Sequence, residues 1–153
     1  MQEEKKYLIE WVQRFLNNRN MIFRTIESIE RHGVYDLLVK QKAKQQFVLA
    51  EPVLTKGALN MLDAEKNILL ACFNTEENFR FMIENWKQLA ACQNLTMYFV
   101  NPESEPDKKW IIAPYVHQKI CDNASLKTGL RAMFETVMPL TAEKIKSLIK
   151  QKE

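Results

Sequence analysis

The sequence predicts a single α/β domain spanning residues 1–153, with a mixed central β-sheet flanked by helices. Three observations point there. Asn67 to Pro102 reads as an apolar strand (NILLACFN), an amphipathic helix (TEENFRFMIENWKQLAACQN) and a second apolar strand (LTMYFVNP), which together form a parallel crossover unit. Ahead of it, VYDLLV and FVLAEPVL flank the short basic connection Lys40–Gln46, as two strands of a hairpin would. The composition is that of a packed chain, since 46% hydrophobic and 10% aromatic residues over 153 positions suffice for a sizeable core and exclude disorder.

Taken in order, Glu3 to Leu16 predicts a first helix with Tyr7, Leu8, Trp11, Val12 and Phe15 on its apolar face and Asn17-Asn18 as its stop. Asn20 to His32 supports two readings. Ile22, Ile26 and Ile29 suit a helix capped by Asn20 and ended by Gly33, which local rules favour, while the β-branched Ile22, Thr25, Ile26 and Ile29 suit a strand over Met21–Ile26. Val34 to Val39 is a strand holding Asp36. Phe47 to Leu54 is a strand holding Glu51, with Pro52 demanding an edge position or a bulge. Thr55 to Lys66 is a loop or short helical turn. In the crossover unit, Asn74 or Thr75 caps a helix whose Phe79, Met82, Ile83, Trp86, Leu89 and Ala90 form one buried stripe, and Asn94 ends it. Trp110 to Tyr115 is a further strand, antiparallel to Leu95–Val100 across the turn ESEPDKK. Val116 to Ala124 reads as irregular or a helical turn. Two C-terminal helices follow within residues 125–150, one capped by Ser125 and ending before Pro139, the other capped by Thr141. They add to a core of residues 3–115.

Totals exclude several functions. With only Gly33, Gly57 and Gly129 there is no glycine-rich loop, so dinucleotide and P-loop sites are ruled out. No apolar run reaches the length of a membrane span, and the N-terminus leads into no signal-peptide core, so no membrane association and a cytoplasmic location are expected. Cys72, Cys92 and Cys121 are odd in number and widely spaced, which fits reduced thiols. His117 and Cys121 lie four apart, but a zinc site needs at least a third ligand and none is evident. The net charge of +3 is compatible with nucleic acid without implying it. Lys40, Lys42 and Lys44 around the hairpin, with Lys108, Lys109 and the C-terminal lysines, are the candidate phosphate contacts. Trp110 is a candidate for stacking on a base.

The order helix, ambiguous segment, strand with Asp36, strand with Glu51, further strand, helix, strand and strand resembles the PD-(D/E)XK nuclease superfamily, in particular the small Holliday-junction resolvases. That resemblance implies a restriction-endonuclease-like fold over Glu3 to about Tyr115 and a strand rather than a helix over Met21–Glu27. It implies Asp36 and Glu51 as catalytic and metal-binding carboxylates, with Glu10 of the first helix as a third ligand. Mg²⁺, a hard ion that prefers oxygen, is the implied cofactor, and a lysine beside it would steady the charge accumulating on phosphate. The chain departs from the pattern at Val53, which stands two residues after Glu51 where the family has lysine. Lys56 and Lys40 are the nearest substitutes. Lys40 lies four strand residues from Asp36, roughly 13 Å along the backbone, and Lys56 falls on the wrong parity unless Pro52 makes a bulge. The expectation is therefore a degenerate, non-catalytic nuclease-like module that binds nucleic acid or a partner. Its alternatives are a Mg²⁺-dependent DNA endonuclease with Lys56 or Lys40 as the displaced lysine, and a protein-interaction domain with no nucleic-acid role.

Overall fold

A six-stranded sheet in the order β1-β2-β3-β4-β5-β6 is sandwiched between two helical layers in the computed structural model, which describes residues 2–152. The strands are β1 (Ile26–Arg31), β2 (Leu37–Gln41), β3 (Gln45–Ala50), β4 (Ile68–Phe73), β5 (Leu95–Val100) and β6 (Lys109–Ile112). Antiparallel pairing runs through β1, β2 and β3. The strands β3, β4 and β5 are parallel, and β6 returns antiparallel to β5. The α/β class, the parallel crossover and the antiparallel last pair are thus as the hydrophobic pattern predicts.

All six residues of β4 are buried, because both faces of the sheet are covered. On one face, Leu8, Ile9, Val12 and Leu16 of α1 (Glu3–Phe23) and Ile145 and Leu148 of α7 (Ala142–Lys152) pack on Val48, Leu69, Ala71 and Phe73. On the other, α2 (Lys56–Asn60), α3 (Glu76–Glu84), α4 (Trp86–Ala90), α5 (Pro114–Ile120) and α6 (Asn123–Glu135) enclose a second core. Its members include Leu70, Cys72, Phe79, Met82, Phe99 and Phe134.

Several element boundaries differ from expectation, each for a local reason. Helix α1 passes straight through Asn17-Asn18 and ends only at Arg24. That residue adopts the left-handed conformation (φ 51°) and donates its N–H to the Asn20 carbonyl. The Asn20 side chain bonds both the N–H and the C=O of Ile26, so the residue read as a helix start instead joins the helix end to β1. The ambiguous segment therefore divides: Met21–Phe23 are helical and Ile26–Arg31 are strand. Strand β3 stops at Ala50, so Pro52 lies beyond the ladder and forces no bulge into it. The crossover helix breaks into α3 and α4 at Asn85, whose backbone leaves the helical region (φ −112°, ψ 22°) and whose amide donates to the Phe81 carbonyl. Pro114 opens α5 instead of closing a strand, a place where its missing N–H costs nothing. Asp122, not Ser125, caps α6, accepting the Ser125 N–H at 2.8 Å.

The C-terminal helices are tied into the sheet by two buried asparagines. Asn74, just past β4, donates to the Val137 carbonyl at 2.9 Å and accepts from the Trp110 indole at 2.8 Å. Asn101, at the end of β5, donates to Met138 at 2.7 Å. The α6–α7 connection is thereby held against the strand ends on which the candidate site stands.

Candidate functional site

Asp36, Glu51, Asn74 and Asn101 all lie at one end of the sheet, where the parallel strands β3, β4 and β5 finish and β2 begins. Open α/β sheets present their ligand-binding groups at that end. Asp36 immediately precedes β2. Its backbone N–H donates to Val48 (2.9 Å), and its Oδ2 accepts the Ala50 N–H at 2.7 Å, which fixes the carboxylate against the end of β3. Glu51 is the first residue past β3, its own N–H still bonded to Ala71 of β4 at 2.8 Å. The two backbone anchors aim both carboxylates at the same point.

A lysine occupies that point, and it comes from neither Lys56 nor Lys40. Lys5 Nζ, in the first turns of α1, is 3.2 Å from Asp36 Oδ2 and 3.2 Å from Glu51 Oε1, and it donates to the Ala50 carbonyl at 2.8 Å. Its three N–H bonds thus meet three oxygens. Because one nitrogen touches both carboxylates, their oxygens are separated by at most twice that contact distance. The side chains are shielded but reachable, at 25% exposure for Lys5, 14% for Asp36 and 25% for Glu51.

The other predicted site residues are elsewhere. Lys56 donates to Asn85 at 2.9 Å and Lys40 pairs with Glu30 at 3.5 Å, so neither replaces the missing lysine. Glu10 is five residues beyond Lys5 on α1, about 140° around the helix and about 7.5 Å along it. Among the described residues no three His, Cys, Asp or Glu side chains gather into a metal-holding group. Lys42 and Lys44 are exposed at the β2–β3 turn, at the opposite end of the sheet from Asp36. Lys108 and Lys109 do share the site's end, since Lys109 pairs with Val100 at the finish of β5. Lys109 Nζ lies 4.8 Å from the Phe15 ring centroid, and Lys108 bonds the Pro102 carbonyl at 2.8 Å. Trp110 cannot stack on a base. It is buried, its ring lies against Phe99 at 4.4 Å, and its N–H is committed to Asn74. His117 is on α5 and Cys121 is that helix's cap residue.

Lys5 had a signal in the sequence. It stands one turn ahead of Leu8 and Ile9 on the stripe that continues through Val12 and Leu16, so it is a charged residue on the inward face of a helix. A charge in that position needs an acidic partner underneath it.

An open groove of about 550 Å³ adjoins the same turn of α1. It is lined by Gln2, Glu3, Glu4, Lys146, Ile149 and Lys150. Lys146 and Lys150 are one turn apart on α7 and exposed, and they share the groove with the acids Glu3 and Glu4.

No protein-family model matches this chain, and neither a curated protein nor a solved structure matches it.

Proposed function

We propose that Asp36, Glu51 and Lys5 form a phosphodiester-processing site of restriction-endonuclease-like type, with nucleic acid as the substrate. The observation that carries this reading is the convergence of Lys5 on both carboxylates. The chain lacks lysine two residues after Glu51, and the lysine that meets the two carboxylates is Lys5 of α1. The order of elements supports it as well: a helix, a strand, a strand headed by Asp36, a strand followed by Glu51, then helix and strands.

The residues present fit a divalent cation. Two hard carboxylate oxygens already hold a cationic nitrogen between them, which is the donor chemistry that Mg²⁺ selects. Asp36 and Glu51 would hold the ion. When bound, Mg²⁺ would polarise a phosphate oxygen and make water a better nucleophile near neutral pH. Lys5, released from part of its carboxylate contact, would donate to a phosphate oxygen and offset the charge that builds there. The Ala50 N–H keeps Asp36 fixed throughout, so the site's geometry survives the exchange of partners. Lys108, Lys109, Lys146 and Lys150 supply phosphate contacts that position the strand without reading its sequence.

One observation favours a second reading. Every Lys5 donor is satisfied inside the protein, so the ammonium itself offsets one of the two carboxylate charges. A binding module without catalysis would then use the lysines alone. Incubating the chain with labelled single-stranded, duplex and branched DNA in Mg²⁺ or Mn²⁺ separates the two. Cleavage lost in Asp36→Ala and Lys5→Met supports the enzyme. Retarded mobility at low salt without cleavage, unaltered by either substitution, supports the binding module.

A further inference from the structure

We propose that the C-terminal tip of α1, with the β2–β3 turn beside it, is a contact with the surface of an anionic lipid bilayer. Helix α1 is longer than the sheet it covers. At 21 residues it runs about 31 Å, whereas a six-residue strand such as β3 runs about 20 Å. The last of its buried side chains is Leu16, and beyond that Asn20 turns back to bond Ile26. The final turn stands clear of the domain. It carries Met21, Ile22 and Phe23, which are 76%, 77% and 61% exposed.

Single exposed apolar residues are ordinary, but three large ones in succession at a helix end make a contact surface. Their form narrows what can cover them. Three consecutive helical residues spread over about 200° of the helix circumference. A flat partner face covers one side of a helix and leaves at least one of the three in water. A fluid lipid interface closes round a protruding tip and takes up all three.

The surroundings of the tip are cationic. Arg24 caps the helix, and the Arg19 guanidinium lies 5.6 Å from the Phe23 ring centroid. Ile26 pairs with Gln41, the last residue of β2, so the turn holding Lys42 and Lys44 lies alongside. Arg24, Lys42 and Lys44 are exposed, and among the described residues no acid pairs with them. Against these four cations, the acid nearest in sequence is Glu27. Such a ring matches anionic headgroups. Two copies brought tip to tip would set the cations against one another. A nucleic-acid backbone would match the charge but offer no apolar phase to Met21, Ile22 and Phe23. Cations and an apolar tip are each weak anchors alone and hold together. No described helix is long and apolar enough to span a bilayer, and a contact at headgroup depth needs none. The tip is at the end of the sheet opposite Asp36 and Glu51, so the candidate site stays at the far end from the lipid.

Flotation of the full chain with phosphatidylcholine vesicles, with and without about 30% phosphatidylserine, tests the contact. The wild-type chain is expected to float with the anionic vesicles and about tenfold less with the neutral ones. Ile22→Ser/Phe23→Ser removes the apolar tip, and Arg24→Asn/Lys42→Gln/Lys44→Gln removes the charge. Both alter exposed side chains alone, and asparagine suits the left-handed backbone at Arg24. Each is expected to weaken binding to anionic vesicles about tenfold. A wild-type chain that stays off anionic vesicles overturns the proposal, as does binding that the apolar pair of substitutions leaves unchanged. Without vesicle binding, a dimer in sedimentation that Ile22→Ser/Phe23→Ser dissociates would give the tip to a second copy. DNA retardation weakened by the same pair would give it to nucleic acid. Either result overturns the lipid assignment.

Discussion

Replacing Lys5 by methionine tests whether the carboxylate pair is a cation site, because it removes the ammonium and keeps the length of the side chain. In the native chain that ammonium stands 3.2 Å from each of two acids. Without it, two carboxylates face each other across at most twice that distance, a repulsion of about 2.5 kcal/mol at an effective dielectric near 20. Loss of the bond to the Ala50 carbonyl adds about 1 kcal/mol. Side-chain movement toward solvent relieves part of this, so the expected loss is about 2–3 kcal/mol in urea unfolding with chelator present. Millimolar Mg²⁺ is expected to return most of that loss, since the ion takes the place the ammonium left. It is expected to do nothing for Lys5→Met/Asp36→Asn, where one ligand is gone. A Lys5→Met chain as stable as wild type would refute the energetic coupling of the three residues. A destabilised one that Mg²⁺ fails to rescue would refute the cation site.

Three further outcomes are expected. Asn74→Ala leaves the Trp110 N–H and the Val137 carbonyl without partners in a dry interior, so unfolding is expected to require about 2–5 kcal/mol less, with limited proteolysis moving to the 136–141 connection. The Arg131 guanidinium bonds Glu76 through two N–H groups and holds its carboxyl below the usual value of 4.5. A depressed carboxyl stabilises above its unfolded pKa and loses that contribution as pH falls through the folded one. The stability gap between wild type and Arg131→Met is therefore expected to narrow from pH 5 to pH 3, read as urea midpoints. Burial pushes the Cys72 thiol well up, whereas Cys92 and Cys121 are partly exposed. A thiol reagent at neutral pH is expected to label those two in the native chain and Cys72 only after unfolding.

The legible part of the fold was the part set by hydrophobic period. Ile68–Phe73 is a continuous apolar run because both sheet faces are covered, and the stripe from Phe79 to Ala90 follows helical spacing, so both could be read directly. Boundaries were less legible where a side chain overrides local preference. Asn17-Asn18 looks like a helix stop, yet Leu16 and Asn20 on either side make tertiary contacts that carry the helix on to Phe23. Asn85 breaks the crossover helix at a position that reads as ordinary helix. In the site, Asp36 and Glu51 were visible as acids on two successive strands, and the structure sets them just before β2 and just after β3 and brings them together. Lys5 is not legible from a motif that sets its lysine close to the glutamate in sequence. The residue that fills the place is 46 positions away. In Trp110 an aromatic beside two lysines reads as an exposed stacking surface, whereas strand alternation turns its ring inward onto Phe99.

The most direct measurement is a crystal structure of the chain grown with Mn²⁺ and recorded at a wavelength where manganese scatters anomalously. The expected result is an anomalous peak about 2.2 Å from both Asp36 and Glu51, within the range of oxygen–metal distances, with Lys5 turned away from one of them. No peak, with Lys5 still bridging both carboxylates, would contradict the reading of this cluster as a metal-dependent phosphodiester site.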